Sequence, residues 1–122
     1  MIVARPATRA DVDRWYPGET CSFRAQVVEV DGKPAGIIGL SLTRPIATLF
    51  SAFDEPLRPH LRSMTVLRLI RWAGDLCSAH RLPVMAIVDP DEGHTETAPK
   101  MLARLGFERV DTVDGTQYWR YG

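Results

Sequence analysis

The run Lys100-Met101-Leu102-Ala103-Arg104-Leu105-Gly106-Phe107 constrains the fold of this chain more than any other stretch. Ala98, Met101, Leu102 and Leu105 recur at i, i+3, i+4 and i+7, which places them on one face of a short helix. Gly106 stands where a helix closes in the left-handed conformation, which is open to a residue without Cβ, and Phe107 can fold back onto the last turn. A short apolar run at 84–88 precedes this helix and a strand pair follows it, so the C-terminal half reads β-α-β-β.

Local signals set the remaining elements. Residues 2–5 predict a strand running into Pro6. Thr8-Arg9-Ala10-Asp11 has the form of a capping box and predicts a brief helix towards Trp15, stopped by Pro17-Gly18. Asp31-Gly32-Lys33 separates apolar runs at 23–30 and 35–42, which predicts a hairpin. Residues 46–53 are apolar on both faces, as a central strand requires. Pro56 and Pro59 predict a loop over 54–62. Over 63–80, Val66, Leu69, Ile70, Ala73, Leu76 and Cys77 form one helical stripe, with Arg68, Arg71, Asp75 and Ser78 opposite. A loop at 89–94 leads to the helix described first. Asp114-Gly115 then joins strands at 109–113 and 117–121.

A length of 122 residues supports one domain, 1–122, with a single modest core. No apolar stretch approaches the roughly 20 residues of a membrane span, and the start Met-Ile-Val-Ala-Arg-Pro lacks the form of a signal peptide. A cytoplasmic setting is the expectation. The formal net charge of zero gives no global attraction to nucleic acid or an anionic membrane, and neither is expected as a partner. Locally, Arg58, Arg62, Arg68, Arg71 and Arg81 with His60 and His80 face only Asp75. They make either an anion-binding surface or a solvated helix face. Cys21 and Cys77 fit neither a disulfide framework nor a metal-ligand spacing; Cys77 belongs to the buried stripe. The acidic loop at 89–94 lacks the alternating ligands of a calcium site, so no metal is expected.

The element order β-α-β-β-β-α-β-α-β-β, the patch Val30-Asp31-Gly32-Lys33-Pro34-Ala35-Gly36 and the Leu105-Gly106-Phe107 helix end resemble the GCN5-related N-acetyltransferase (GNAT) superfamily over essentially the whole chain. Leu49-Phe50-Ser51, Asp54-Glu55-Pro56-Leu57-Arg58 and Ala86-Ile87-Val88-Asp89 are similar to short phage-encoded GNAT-like proteins, which would imply a virion-associated setting. The resemblance implies an α/β (α+β) acyl-CoA N-acyltransferase fold, a mixed and mostly antiparallel sheet with helices on both faces. It also implies acetyl-CoA as cofactor, with the pyrophosphate at the start of the long helix, where unpaired N–H groups and the helix dipole favour an anion.

The family's Arg/Gln-x-x-Gly-x-Gly/Ala loop falls on Arg58-Pro59-His60-Leu61-Arg62-Ser63. The cofactor contacts it implies are Phe53, Arg58, Leu61, Arg62, Ser63 and Met64, with Leu61 standing where the family has glycine. The tyrosine that protonates the departing thiolate in the family falls on Leu102, which donates no proton, and the asparagine near the start of that helix falls on Thr95. Tyr16, Tyr118 and Tyr121 remain by residue type, and the spacing selects none of them. Candidate general bases are Asp54, Glu55 and Asp89, each equally placed for turn chemistry. Two functions therefore stand. One is transfer of an acetyl group to an unidentified amine, mainly by positioning. The other is a GNAT-fold binding or assembly module meeting a protein partner, for which Trp15, Trp72 and Trp119 are the contacts to inspect. A homodimer paired through Tyr118-Trp119-Arg120-Tyr121, taken as an aromatic edge, is a further expectation.

Overall fold

A computed structural model of the chain describes residues 1–42, 46–81, 83–88 and 98–121. Strand β1 (Ile2–Pro6) leads to helix α1 (Arg9–Trp15), whose start is fixed by the capping box. The Thr8 hydroxyl accepts the Asp11 N–H, and the Asp11 carboxylate accepts the Thr8 N–H at 2.7 Å. Strands β2 (Phe23–Val30) and β3 (Lys33–Ser41) form the expected hairpin. Asp31 and Gly32 both have positive φ, 51° and 81°, the two-residue turn whose twist matches its strands.

Next come β4 (Ala47–Phe53), α2 (Met64–Ala79), β5 (Val84–Val88), α3 (Ala98–Leu105), β6 (Phe107–Val113) and β7 (Thr116–Tyr121). Gly106 closes α3 at φ 99°, and Asp114 and Gly115 at 51° and 83° repeat the hairpin turn between β6 and β7. The seven strands form one sheet in the order β1-β2-β3-β4-β5-β7-β6, antiparallel except for β4 beside β5. Helices lie on both faces. Val66, Leu69, Ala73 and Cys77 of α2 and Leu102 of α3 join Leu40, Leu49, Val84, Ala86 and Trp119 in the larger core. On the other face, Val12 of α1 packs with Ala25, Val27 and Ile37.

Two expectations need correction. The segment after β4 is not an open loop: Glu55–His60 form a 3-10 helix. Pro56 is compatible with its first turn, Leu57 N–H reaches the Asp54 carbonyl at 3.0 Å, and the buried Leu57 side chain pins the turn to the core. The aromatic segment Tyr118-Trp119-Arg120-Tyr121 is not an edge. β7 lies between β5 and β6, with Trp119 buried and its indole N–H on Gln117 at 3.0 Å, so β6 is the edge strand at this end of the sheet, as β1 is at the other. Among the described residues, no helix is long and apolar enough to cross a membrane.

Candidate functional site

The parallel pairing of β4 with β5 is short. It joins Ala47 to Val84, Thr48 to Met85 and Leu49 to Ala86, and goes no further. Both strands continue, β4 to Phe53 on the side of β3 and β5 to Val88 on the side of β7. The sheet therefore opens into a wedge at the carboxyl ends of its two central strands. Backbone donors and acceptors that would otherwise form a ladder face each other across this opening. A cavity of about 130 Å³ occupies it, between Ser51 of β4, Val88 of β5 and Met101 and Leu102 of α3. Leu102, expected from the resemblance at the family's tyrosine position, is buried in the core beneath it.

The chain leaves β4 through Phe53 and Asp54, makes the 3-10 helix and enters α2 at Ser63. The Ser63 hydroxyl accepts the Val66 N–H at 3.3 Å and its carbonyl accepts the Leu67 N–H at 3.0 Å. The N–H groups of Met64 and Thr65 have no acceptor among the described residues, as the first turn of any helix leaves them. Leu61 stands at φ −62° and ψ −21°, ordinary helical backbone. This segment thus makes no conformational demand for glycine at that point, and the Leu61 side chain packs against the larger core. Arg58 lies 5.8 Å from the centre of the Phe53 ring and 3.3 Å from the Glu55 carboxylate. Arg62 and Met64 are exposed. The turn offers two exposed cations, two backbone donors and an apolar side chain, a combination suited to a phosphate-bearing ligand.

The two candidate carboxylates among the described residues, Asp54 and Glu55, do not line the wedge cavity. Asp54 accepts from the Arg14 guanidinium at 2.8 Å and from the Trp15 indole at 3.3 Å, which ties α1 to the end of β4. Glu55 is exposed beside Arg58. Asp89, Thr95 and the acidic loop at 89–94 lie outside the described residues. Tyr118 lies on the inner strand β7, and Tyr121 packs edge-on against Phe107 at 5.4 Å between ring centres. Tyr16 is different: it follows the last turn of α1, meets Phe50 edge-on at 5.3 Å and lines the wedge. Only the tertiary fold singles it out.

A second cavity of about 410 Å³ lies on the α1 face. Val12, Phe23 and Phe50 make its apolar walls, and Glu19, Cys21 and Ser41 its far end. The Cys21 thiol is 3.0 Å from the Ser41 hydroxyl. Hydrogen bonds from the Cys21 side chain and then from its backbone N–H hold the exposed Glu19 carboxyl below its usual range. Arg9 fixes this segment by donating to the Glu19 and Cys21 carbonyls at 3.2 and 3.1 Å while lying over the Phe23 ring. Tyr16, Thr48 and Phe50 line both cavities, so the two adjoin through the sheet. Cys77 is unlike Cys21: burial pushes its thiol up to about 11.

No family model matches the chain, and no curated relative matches it by sequence. Solved structures match it along its length. It is similar to the ribosomal-protein-S18-alanine N-acetyltransferase from Escherichia coli, at 15% identity and a TM-score of 0.62 over 99% of this chain and 93% of that one. An acetyltransferase of the GNAT family from Streptococcus pneumoniae matches at 13% identity and a TM-score of 0.63, covering 100% of both chains. The PaiA N-acetyltransferase from Thermoplasma acidophilum, solved in complex with coenzyme A, matches at 13% identity and a TM-score of 0.57. That likeness covers 80% of this chain and 58% of that one. At such identities the likeness establishes the fold.

Proposed function

We propose that this chain, whose fold is that of the GNAT N-acetyltransferases, binds acetyl-CoA in the β4/β5 wedge and transfers its acetyl group slowly to a small amine. The wedge carries this reading: two adjacent parallel strands part after Leu49 and Ala86 although both run on. Arg58, Arg62 and the first-turn N–H groups of α2 at Met64 and Thr65 would hold the pyrophosphate. Ser63 fixes that turn, Phe53 with Leu61 its apolar underside. The conformation at Leu61 fits this role without the family's glycine, because the anion would be met by side-chain charge rather than by close backbone approach.

Acetyl-CoA, when bound, supplies a thioester, and transfer to an ammonium gives the amide, the free thiol and one released proton. N–H groups of β4 along the wedge would stabilise negative charge on the carbonyl oxygen. Holding amine and acyl group together supplies most of the remaining rate enhancement. Asp54 and Glu55 stand as candidate bases by their place at the end of β4, as does Asp89 by sequence. In the arrangement described, Asp54 serves as a tie between α1 and β4, and water takes the proton.

A second reading, a binding module without chemistry, is supported by Leu102, which is buried and which the resemblance sets at the position of the family's acid. Incubation with acetyl-CoA and a set of primary amines, followed by mass spectrometry, separates the two. An amine that gains an acetyl group above the uncatalysed background is the expected outcome. Tight acetyl-CoA binding with no acetylated product from any amine would replace the enzyme by the binding module. The phage-type similarity adds only a setting to either reading, association with a virion, which co-purification with particles would test. Pairing of two copies is testable by sedimentation and, if it runs through the C-terminal hairpin, would use β6, which ends the sheet on that side.

A further inference from the structure

The α1-face cavity has two chemically different ends. One end, at Tyr16, Thr48 and Phe50, is shared with the wedge. The other lies across the strands. Register carries the cavity wall from Thr48 of β4 to Ser41 of β3 and on to Phe23 of β2, and Cys21 and Glu19 complete it. Between the ends the walls are apolar, and among the described residues Glu19 is the one charged side chain lining the cavity. A volume of about 410 Å³ is in the range of small-molecule sites.

We propose that this cavity is the acceptor site and that it takes a diamine: two amino groups joined by an apolar spacer. The spacer lies between Val12, Phe23 and Phe50. One amino group reaches the wedge past Tyr16 and Thr48. The other remains an ammonium and meets the Glu19 carboxylate, with Ser41 beside it. Glu19 is exposed and an exposed carboxyl is ionised at neutral pH, and the Cys21 N–H donates to it at 3.5 Å. A monoamine fills the same walls but sets no ammonium beside Glu19, whose carboxylate then feels the Arg9 charge alone, and an amino acid of equal length sets a carboxylate against it. As an acceptor assignment this rests on the acetyltransferase reading; as a binding site it does not. In the transfer itself the wedge-side nitrogen forms the new N–C bond as the C–S bond breaks. That ammonium gives up two protons, one to the thiol and one to solvent, and the far ammonium is unchanged.

Cys21 reports occupancy without acetyl-CoA. It is partly exposed at the far end of the cavity, whereas Cys77 is buried, so iodoacetamide should alkylate Cys21 alone, and Cys21→Ser should abolish labelling. Cadaverine, pentylamine and δ-aminovalerate have similar lengths and differ in the far group. Cadaverine should half-protect Cys21 at a concentration about five-fold lower than pentylamine, the size of one solvent-exposed charge pair. Aminovalerate should protect least. Glu19→Gln, an exposed position, should erase the advantage of cadaverine over pentylamine. Equal protection by all three, no protection by any, or an order unchanged in Glu19→Gln would overturn the proposal. Acetyl-CoA binding is measured separately. If cadaverine protects as expected but acetyl-CoA does not bind, the cavity stands and the acetyltransferase reading falls. If acetyl-CoA binds but the order of protection is absent, the reading survives and the diamine site is lost.

Discussion

Asp11 is the most heavily bonded carboxylate of the described chain. It is 8% exposed and accepts from two Arg5 nitrogens at 2.7 and 3.0 Å, the Thr8 N–H at 2.7 Å and the Thr8 hydroxyl at 2.9 Å. The Arg5 guanidinium, above all, holds its carboxyl well below the ordinary 3.8. A carboxyl depressed by folding stabilises the fold above its unfolded pKa, and that stabilisation drains away as pH falls towards the folded one. Asp11→Asn should therefore cost about 2 kcal/mol at neutral pH, and the gap from wild type in urea melts should shrink below about pH 4. A constant gap down to pH 2 would show that Asp11 acts through packing. Asp54 is a different case, because its pair with Arg14 is half-exposed, at 38% and 50%. Asp54→Asn should lower stability by less than about 1 kcal/mol and leave the pH profile of acetyl transfer in place. A displaced profile would make Asp54 the general base instead.

At the scale of elements, the β2–β3 hairpin depends on Gly39. A Cβ there would overlap the Arg24 carbonyl oxygen and the Ala25 side chain, and both belong to the paired strand. Backbone cannot step aside, so Gly39→Ala should destabilise by about 3 kcal/mol. Gly36→Ala meets the movable end of Leu57 and should cost about 1 kcal/mol. Equal costs in chemical denaturation would refute this account of the hairpin. Elements set by local chemistry were legible in the sequence: the Thr8-Asp11 cap, the Asp31-Gly32 and Asp114-Gly115 turns, the α2 stripe and the Gly106 stop. Each depends on residues within a few positions of one another. The place of β7 was not, because a hairpin can join a sheet through either strand. A readable signal existed, since Glu108, Arg109, Asp111 and Thr112 crowd charged and polar side chains onto β6, as edge strands do.

For the whole molecule, the site comes from contacts distant in sequence. The wedge depends on how far residues 47–49 pair with 84–86, and no local pattern encodes where that pairing stops. Tyr16 and Glu19 reach the site only because α1 crosses the β2–β4 face, so neither stood out by spacing. The cationic turn at Arg58, Arg62 and Ser63 was legible as a helix start with nearby charge, and its usefulness depends on lying at the open end of β4. Those two features together are the central claim. Its most direct measurement is calorimetric titration of acetyl-CoA into the protein at low and at moderate salt. The account expects affinity near 1 μM to 100 μM, on the order of −8 to −5 kcal/mol, weakened several-fold by salt and lost in Arg58→Ala/Arg62→Ala. Absence of binding up to millimolar acetyl-CoA would contradict it, and binding indifferent to both salt and the double substitution would remove the cradle from this turn.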